Sequence, residues 1–354
     1  MVERYAVAIV PPGVEEVPVN VADPYAHIRL ALHAALVGGD PGTAYGLVRE
    51  LMEEGVSFDA VLFDYLGAVQ REVGTRWQQA DYRIAQEHAA SSTTETVVGL
   101  LAGSFDADAE APHVVVASAE GDSHSLPARM VSAYLTSLGW RVTFLGSSIP
   151  SGDLGAFLAD EQPQAFVLAC SLSSNLRGAR AGIEAAHDAG VPVVAGGRGF
   201  GHNGERASAL GADAWMADPR GLDDLLRTWD PDPAAAEAAV FDSGDLDVLE
   251  ELRYSTVATV VDALPPSETA NDAGLLRADV NLLWDVLSAS VLVADPAVVA
   301  EFIFWHDALA PDSGRVIAIR DLVAALRDTL PDEALVAHTY LDLGLEMADS
   351  EQAS

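Results

Sequence analysis

The segment from residue 113 to residue 195 constrains the fold most, because short β-branched runs alternate with helical stretches along it. The predicted strands span residues 113–118, 141–145, 165–169 and 191–195. Strands of this kind, alternating with helices, form a parallel sheet that is covered by helices on both faces. Ligands of such sheets bind beyond the carboxyl ends of the strands, so the loops that follow the strands are the first candidates for a site.

Helical patterns flank this segment on both sides. Four helical stretches with short connections lie between residues 25 and 105, which predicts a four-helix bundle. After Trp229 the sequence DPDPAAAEAA indicates a linker, and the remainder is predicted to be all helical. The predicted fold is therefore multidomain α and α/β. An N-terminal extension (1–24) precedes the N-terminal helical unit (25–108), which is the predicted four-helix bundle. The sheet unit (109–230) is doubly wound and Rossmann-like, and a linker (231–240) joins it to the C-terminal helical unit (241–349).

Charge and composition exclude several classes of function. The 354 residues include 54 acidic and 19 basic side chains, for a formal net charge of −35, which repels phosphate backbones and argues against a nucleic-acid partner. All basic residues are arginine, which excludes a pyridoxal Schiff base and the lysines of P-loop and protein-kinase sites. One cysteine, Cys170, excludes a disulfide framework. Without a signal peptide or a membrane-length apolar run, a cytoplasmic protein that contacts no membrane is expected.

The loop after the first predicted strand contains Asp122 and His124. An aspartate two residues before a histidine can accept the proton of one imidazole nitrogen, which makes the other nitrogen a better metal ligand. The pair is common, and a structural or surface role is the alternative. Two further loops at the same sheet edge contain Ser171 and Ser173, then Gly196 and Gly197, whose hydroxyls and small size suit a narrow, deep pocket.

These three loops resemble the cobalamin-binding domains of methionine synthase, the mutases and the cobalamin photoreceptors, whose signature is D-x-H-x-x-G, then S-x-L, then G-G. The resemblance implies that His124 is the lower axial ligand of cobalt, that Asp122 holds it, and that the displaced dimethylbenzimidazole tail threads the pocket. Pro127 and Ser173 depart from the signature. Proline is favoured in the first turn of a helix. The residues so assigned to the cofactor are Asp122, Ser123, His124, Ser171, Leu172, Ser173, Gly196 and Gly197.

The N-terminal helical unit carries a second resemblance. Trp77 is followed ten and eleven residues later by Glu87 and His88, the spacing found in light-sensing adenosylcobalamin proteins. In that family the tryptophan packs over the adenosyl group, and the glutamate and histidine contact it. The resemblance therefore implies adenosylcobalamin, with these three residues above the corrin. Gln78 stands where the family often has a histidine that ligates cobalt after photolysis. A core tryptophan and a helix-start acid are the structural alternative.

The arrangement of the whole chain resembles the photocobilins, which pair cobalamin with biliverdin in a C-terminal helical domain of globin-like character. The resemblance implies a bilin that is bound non-covalently, because Cys170 lies in the sheet unit and no thiol is present in the C-terminal helical unit. His306 and Arg315 are the expected contacts, since arginine binds carboxylates bidentately. Taken singly, each of these side chains is better explained by a structural role, which for the arginines is a helix surface.

The sequence thus predicts a light sensor rather than an enzyme. Light would break the Co–C bond, directly or through the bilin, and change the conformation or the oligomeric state of a homodimer. Its ligands would be small-molecule chromophores, and a gene-repressing output is not expected because the first 24 residues are too few for a helix-turn-helix domain. One alternative is a corrinoid carrier of a methyltransferase system. Another is a sensor with cobalamin alone and a C-terminal dimerisation domain.

Overall fold

The computed structural model describes residues 25–106, 108, 110–231, 244–264, 270–309 and 317–352. The predicted N-terminal extension and nearly all of the predicted linker lie outside these residues, as does Arg315. The described chain is rich in helix and contains one five-stranded sheet. None of the described helices is long and apolar enough to cross a bilayer.

The N-terminal helical unit consists of helices that enclose one apolar core. A π-helical segment, Val61–Leu66, joins α3 to α4, so that these two helices run on as one. Asp40 caps α2 by accepting a hydrogen bond from the backbone nitrogen of Thr43. The helices are α1 (Ala26–Val37), α2 (Pro41–Glu53), α3 (Phe58–Ala60), α4 (Gly67–Gln78) and α5 (Ile84–Ala102).

The sheet unit has five parallel strands in the order β2-β1-β3-β4-β5. In this register Ser118 pairs with Ala169, which in turn pairs with Gly196. The carboxyl ends of three neighbouring strands therefore meet at one edge of the sheet, and the loops singled out in the sequence leave from it. The strands are β1 (His113–Ser118), β2 (Arg141–Gly146), β3 (Ala165–Ala169), β4 (Val193–Gly196) and β5 (Ala214–Met216).

Helices cover both faces of this sheet, as the sequence predicts. Val115 and Ala117 pack with α7 and α8 on one face, whereas Val114 and Val116 pack with α6 and α10 on the other. This alternation follows from the two-residue period of a strand. Strand β5 and the two short helices beside it were not predicted. The helices are α6 (Leu126–Ser137), α7 (Ser151–Glu161), α8 (Leu176–Asp188), α9 (Glu205–Ala209) and α10 (Leu222–Thr228).

The N-terminal helical unit packs on α6 of the sheet unit. Met130 and Ala133 of α6 belong to the core of that unit, and Tyr134 meets Phe63 edge-on with 5.6 Å between ring centroids. Arg220 of the sheet unit lies 2.8 Å from carboxylate oxygens of both Asp59 and Asp64. Apolar packing and charge pairing together hold the two units in contact.

The C-terminal helical unit is entirely helical over its described residues. It shares one hydrophobic cluster with the α7 and α8 face of the sheet unit, so it packs against that unit. Its globin-like character, like the four-helix-bundle topology of the N-terminal helical unit, stays a prediction. The helices are α11 (Asp245–Ala263), α12 (Ala270–Val293), α13 (Ala297–Asp307), α14 (Ile319–Thr329) and α15 (Leu335–Gln352).

Gly178 in α8 provides a test of how this helix packs on the loop after β1. A Cβ atom at this position would lie 1.9 Å from the carbonyl oxygen of Glu120, in the loop after β1. We expect Gly178→Ala to lower the free energy of unfolding by about 1–3 kcal/mol, since backbone has to move. Gly182→Ala in the same helix is the matched control, because its Cβ would meet only side-chain atoms at 3.7–3.9 Å. Gly182→Ala should leave the free energy of unfolding unchanged or raise it by up to about 1 kcal/mol. Equal effects of the two variants in urea denaturation would contradict this account.

Candidate functional site

The carboxylate of Asp122 is fully buried at the carboxyl edge of the sheet. Its Oδ1 accepts hydrogen bonds from the backbone nitrogen of His124 at 3.0 Å and from Nδ1 of the same residue at 2.6 Å. Its Oδ2 accepts a hydrogen bond from the backbone nitrogen of Ser171 at 2.6 Å. One side chain therefore joins the loop after β1 to the loop after β3.

The bond to Asp122 defines the chemistry of the His124 imidazole. Because a carboxylate only accepts hydrogen bonds, Nδ1 carries the proton and the lone pair lies on Nε2. The side chain is 15% exposed, and Nε2 itself is buried. An imidazole held in this tautomer presents Nε2 as a ligand for a metal ion.

Further hydrogen bonds fix the loop that carries this pair. Ser118 Oγ donates to the carbonyl oxygen of His124 at 2.9 Å, and the backbone nitrogen of Gly121 donates to Ser148 Oγ at 3.0 Å. Ser125 Oγ donates to Glu95 of α5, which ties the loop to the N-terminal helical unit. Ser123 is exposed, as are Gly121 in the same loop and Pro127 in the first turn of α6.

The loops after β3 and β4, residues 170–175 and 196–201, are locked together by close backbone approach. The backbone nitrogen of Gly199 donates to the carbonyl oxygen of Cys170 at 2.9 Å. A Cβ at Gly197 would lie 2.4 Å from that same oxygen, and Gly197 has a φ of +102°, so only glycine fits. Ser173 is buried here, while Ser171 and Leu172 are half-buried. We call these two loops the tail loops.

Burial, and then the nearby carboxylate of Asp122, raise the pKa of the Cys170 thiol well above its usual value. The group is therefore protonated at neutral pH. A protonated, fully buried thiol behaves as a small apolar side chain and is a poor nucleophile or metal ligand.

A second aspartate–histidine pair lies at the other end of the strands. Asp213, just before β5, accepts hydrogen bonds from His187 Nε2 at 2.8 Å and from the backbone nitrogen of Val193 at 2.7 Å. Val193 begins β4, so this pair lies at the amino edge of the sheet. Ligands of parallel sheets bind at the opposite edge, and we therefore assign this pair a structural role.

The three residues predicted to lie above a cofactor occupy different environments. Trp77, at the end of α4, is outside the core of its own unit and packs against the cluster shared by the sheet unit and the C-terminal helical unit. Glu87 is buried in the first turn of α5 and accepts a hydrogen bond from Ser91 at 2.7 Å. His88 is 44% exposed, with its Nε2 3.6 Å from Glu87 Oε2. Their contact with a cofactor stays a prediction.

Two arginines that the sequence reasoning missed lie near this site. Arg198 follows Gly197 directly, and Arg71 projects from α4. Burial, and then the neighbouring Arg71 guanidinium, lower the pKa of Arg198. Burial also lowers the pKa of Arg71. Arg198 is therefore within electrostatic range of α4, and the Asp64 carboxylate opposes the lowering of the Arg71 pKa. The position of Arg198 just after a strand end was the available signal.

Of the two predicted bilin contacts, His306 belongs to the described residues and Arg315 does not. His306 is buried in α13, with its ring centroid 6.0 Å from that of Phe302 and 6.5 Å from that of Trp305. Arg315 lies outside the described residues, so its relation to His306 stays a prediction.

Comparison with known proteins supports a cobalamin-binding protein. Residues 112–220 match a family model described as the B12 binding domain, and residues 28–102 match a second model with the same description. The first match covers the sheet unit with His124 and the tail loops, and the second covers the N-terminal helical unit. No curated protein matches this chain.

Three solved structures are similar to the chain. One is a monomethylamine corrinoid protein of Methanosarcina barkeri, with 18% sequence identity and a TM-score of 0.49; the match covers 57% of this chain and 99% of that chain. Another is a cobalamin-binding protein of Desulfitobacterium hafniense DCB-2, with 20% identity and a TM-score of 0.32; the match covers 57% of this chain and 98% of that chain. The third is the methanol:cobalamin methyltransferase complex MtaBC of Methanosarcina barkeri, with 17% identity and a TM-score of 0.31; the match covers 59% of this chain and 82% of that chain. At TM-scores below 0.5 these similarities carry no structural argument.

The two aspartate–histidine pairs provide a matched test. Asp122→Asn replaces a carboxylate, whose two oxygens both accept hydrogen bonds, with an amide. The amide NH2 group would then face an N–H group that now donates to Asp122. We expect the free energy of unfolding to fall by about 2 kcal/mol and cobalamin affinity to fall roughly 10- to 100-fold. Asp213→Asn should cost similar stability and leave cobalamin affinity within about twofold, because the site lies at the other edge. Equal losses of affinity in absorption titrations of the two variants would contradict the assignment.

Proposed function

We propose that this chain binds a cobalamin between the N-terminal helical unit and the carboxyl edge of the sheet, with His124 Nε2 as the lower axial ligand of cobalt. The two B12 binding domain matches support cobalamin binding and cover both of these units. The observation that carries the role of His124 is its hydrogen bond to the buried carboxylate of Asp122, which leaves the lone pair on Nε2.

The residues at this edge fit such a cofactor. A corrin supplies the equatorial nitrogens of cobalt, so one imidazole is the contribution required of the protein. Gly197 and Gly199 let the backbone of one tail loop approach Cys170 of the other closely, which fixes the two loops that would receive the nucleotide tail. Arg198 in the second tail loop supplies positive charge suited to the phosphate of the nucleotide tail. When bound, cobalamin supplies a reactive cobalt–carbon bond.

For the use of the cofactor we propose first a corrinoid carrier, which presents a cobalt-bound methyl group to a separate enzyme. A carrier needs an upper face that a partner can reach. His88 at the start of α5, which is predicted to lie above the corrin, is 44% exposed, so this side of the site is open to solvent. The names of the similar structures agree with this use.

A light sensor that holds adenosylcobalamin is the second candidate. It is favoured by Trp77, which contacts the cluster that the sheet unit shares with the C-terminal helical unit. A change above the corrin would then reach the C-terminal helices through one side chain. In this candidate biliverdin would be the second chromophore, bound non-covalently near His306.

Cofactor preference and photochemistry separate the two candidates. Full-length protein is titrated with methylcobalamin and adenosylcobalamin by absorption, and each complex is illuminated with green light without oxygen. A carrier should bind both forms with similar affinity and transfer methyl to an added thiol. A sensor should prefer adenosylcobalamin, and its spectrum should change irreversibly. Failure to bind either form would reject cobalamin binding itself.

The bilin needs its own measurement on the full-length protein. If biliverdin binds, a structured red absorption band should develop, and denaturation should release all of the pigment because the C-terminal helical unit has no thiol. His306→Ala should weaken that band. The control is His338→Ala, at a half-buried histidine of α15 that bonds the Pro331 carbonyl oxygen, and it should leave the band unchanged. Absence of the band would remove biliverdin from the account and leave the cobalamin assignment intact.

A further inference from the structure

The C-terminal helical unit packs directly on one of the tail loops. Helix α12 lies against the turn Ser173–Asn175 and against α8. A small cleft with a cavity volume of about 20 Å³ remains between them. Its walls come from both units, and the lining residues are Leu172, Ser173, Ser174, Leu282, Val286, Phe302 and Trp305.

The buried side chain of Arg206 links the C-terminal helical unit to the second tail loop, residues 196–201. Arg206 in α9 is 5% exposed. Its Nε donates to Asp295 Oδ2 at 2.7 Å, and its two terminal nitrogens donate to the carboxylate of Glu301 at 2.9 and 2.7 Å. A bidentate pair of this kind fixes distance and orientation together. The contact therefore sets how α13 is oriented on the sheet unit.

Both ends of this contact are held in place. A Cβ at Gly201, the last residue of the second tail loop, would lie 3.6 Å from the Arg206 side chain, so the arginine stem runs beside that loop. On the other side, Asp295 Oδ1 accepts a hydrogen bond from the backbone nitrogen of Ala297 at 2.9 Å, and Ser290 Oγ donates to the Asp295 carbonyl at 2.7 Å. Contacts therefore link the second tail loop, through Arg206, to the turn between α12 and α13.

The tail loops are in turn joined to the histidine. Asp122 binds both His124 and the backbone of Ser171, and Gly199 binds Cys170. Packed and hydrogen-bonded contacts thus run from His124 through both tail loops to α12 and α13. Coupling of two sites requires an element whose equilibrium both sites bias, and the C-terminal helical unit is the candidate because it contacts both tail loops.

We propose that docking of the C-terminal helical unit and binding of cobalamin are coupled, and that Arg206 is the positioning residue that couples them. This inference rests on the proposed cobalamin site. The docked unit would hold the tail loops in the arrangement that receives the nucleotide tail. By reciprocity, cofactor binding would strengthen docking by the same factor by which docking strengthens cofactor binding.

The test uses full-length protein and hydroxocobalamin. In the wild type, hydroxocobalamin should slow hydrogen–deuterium exchange in α12 and α13, which are remote from His124 in sequence. Glu301→Gln should raise the Kd for hydroxocobalamin at least tenfold and should reduce this protection, because it removes the carboxylate charge that pairs with Arg206. Asp295→Asn, which loses a single contact, should shift both quantities in the same direction by less.

Arg177 and Glu250 provide the matched control. They also form an ion pair between the two units, at 3.0 Å, but their side chains are 36% and 69% exposed. Exposed pairs contribute little, so Glu250→Gln should leave the Kd within about twofold of wild type.

The inference is overturned if the wild type binds hydroxocobalamin with no change of exchange in α12 and α13. It is also overturned if Glu301→Gln speeds that exchange while the Kd stays within about twofold of wild type. Absence of hydroxocobalamin binding by the wild type would instead reject the proposed function on which the coupling rests. The wild-type exchange measurement decides the question even if a variant does not fold.

Discussion

The buried carboxylate of Asp122 is the interaction on which the candidate site depends. A buried charge is costly unless hydrogen bonds replace the water it loses, and Asp122 accepts three, from two different loops. Those bonds hold the loops after β1 and β3 at a fixed separation and set the tautomer of His124. The glycines that follow β4 then approach the same backbone closely. The arrangement of the three loops at the carboxyl edge of the sheet follows from these contacts.

Much of the fold could be predicted because its signals are local. The first four strands are β-branched or apolar runs between helical stretches, and proline and glycine mark the ends of the C-terminal helices. Strand β5 was missed because Ala214–Met216 has only three residues, too few to show a period. The π-helical segment Val61–Leu66 was missed for a related reason, since its apolar spacing differs little from that of an α-helix.

The same contrast applies to the site. Asp122 and His124 are two residues apart, so their hydrogen bond could be predicted from spacing alone. The contacts of Arg206 with Asp295 and Glu301 join residues 89 and 95 positions apart, and neither carboxylate belongs to a recognisable motif. Arg71 and Arg198 come together only when the N-terminal helical unit packs on α6. Such contacts are set by tertiary packing, which a single sequence does not reveal.

The most direct test of the account is electron paramagnetic resonance of the protein loaded with Co(II) cobalamin. Protein in which only the histidines carry nitrogen-15 is compared with unlabelled protein and with His124→Ala. If His124 Nε2 ligates cobalt, the nitrogen superhyperfine lines should change from triplets to doublets on labelling, and they should lose the histidine contribution in the variant. Lines that are insensitive to labelling, or that persist unchanged in His124→Ala, would show that another nitrogen occupies the lower axial position.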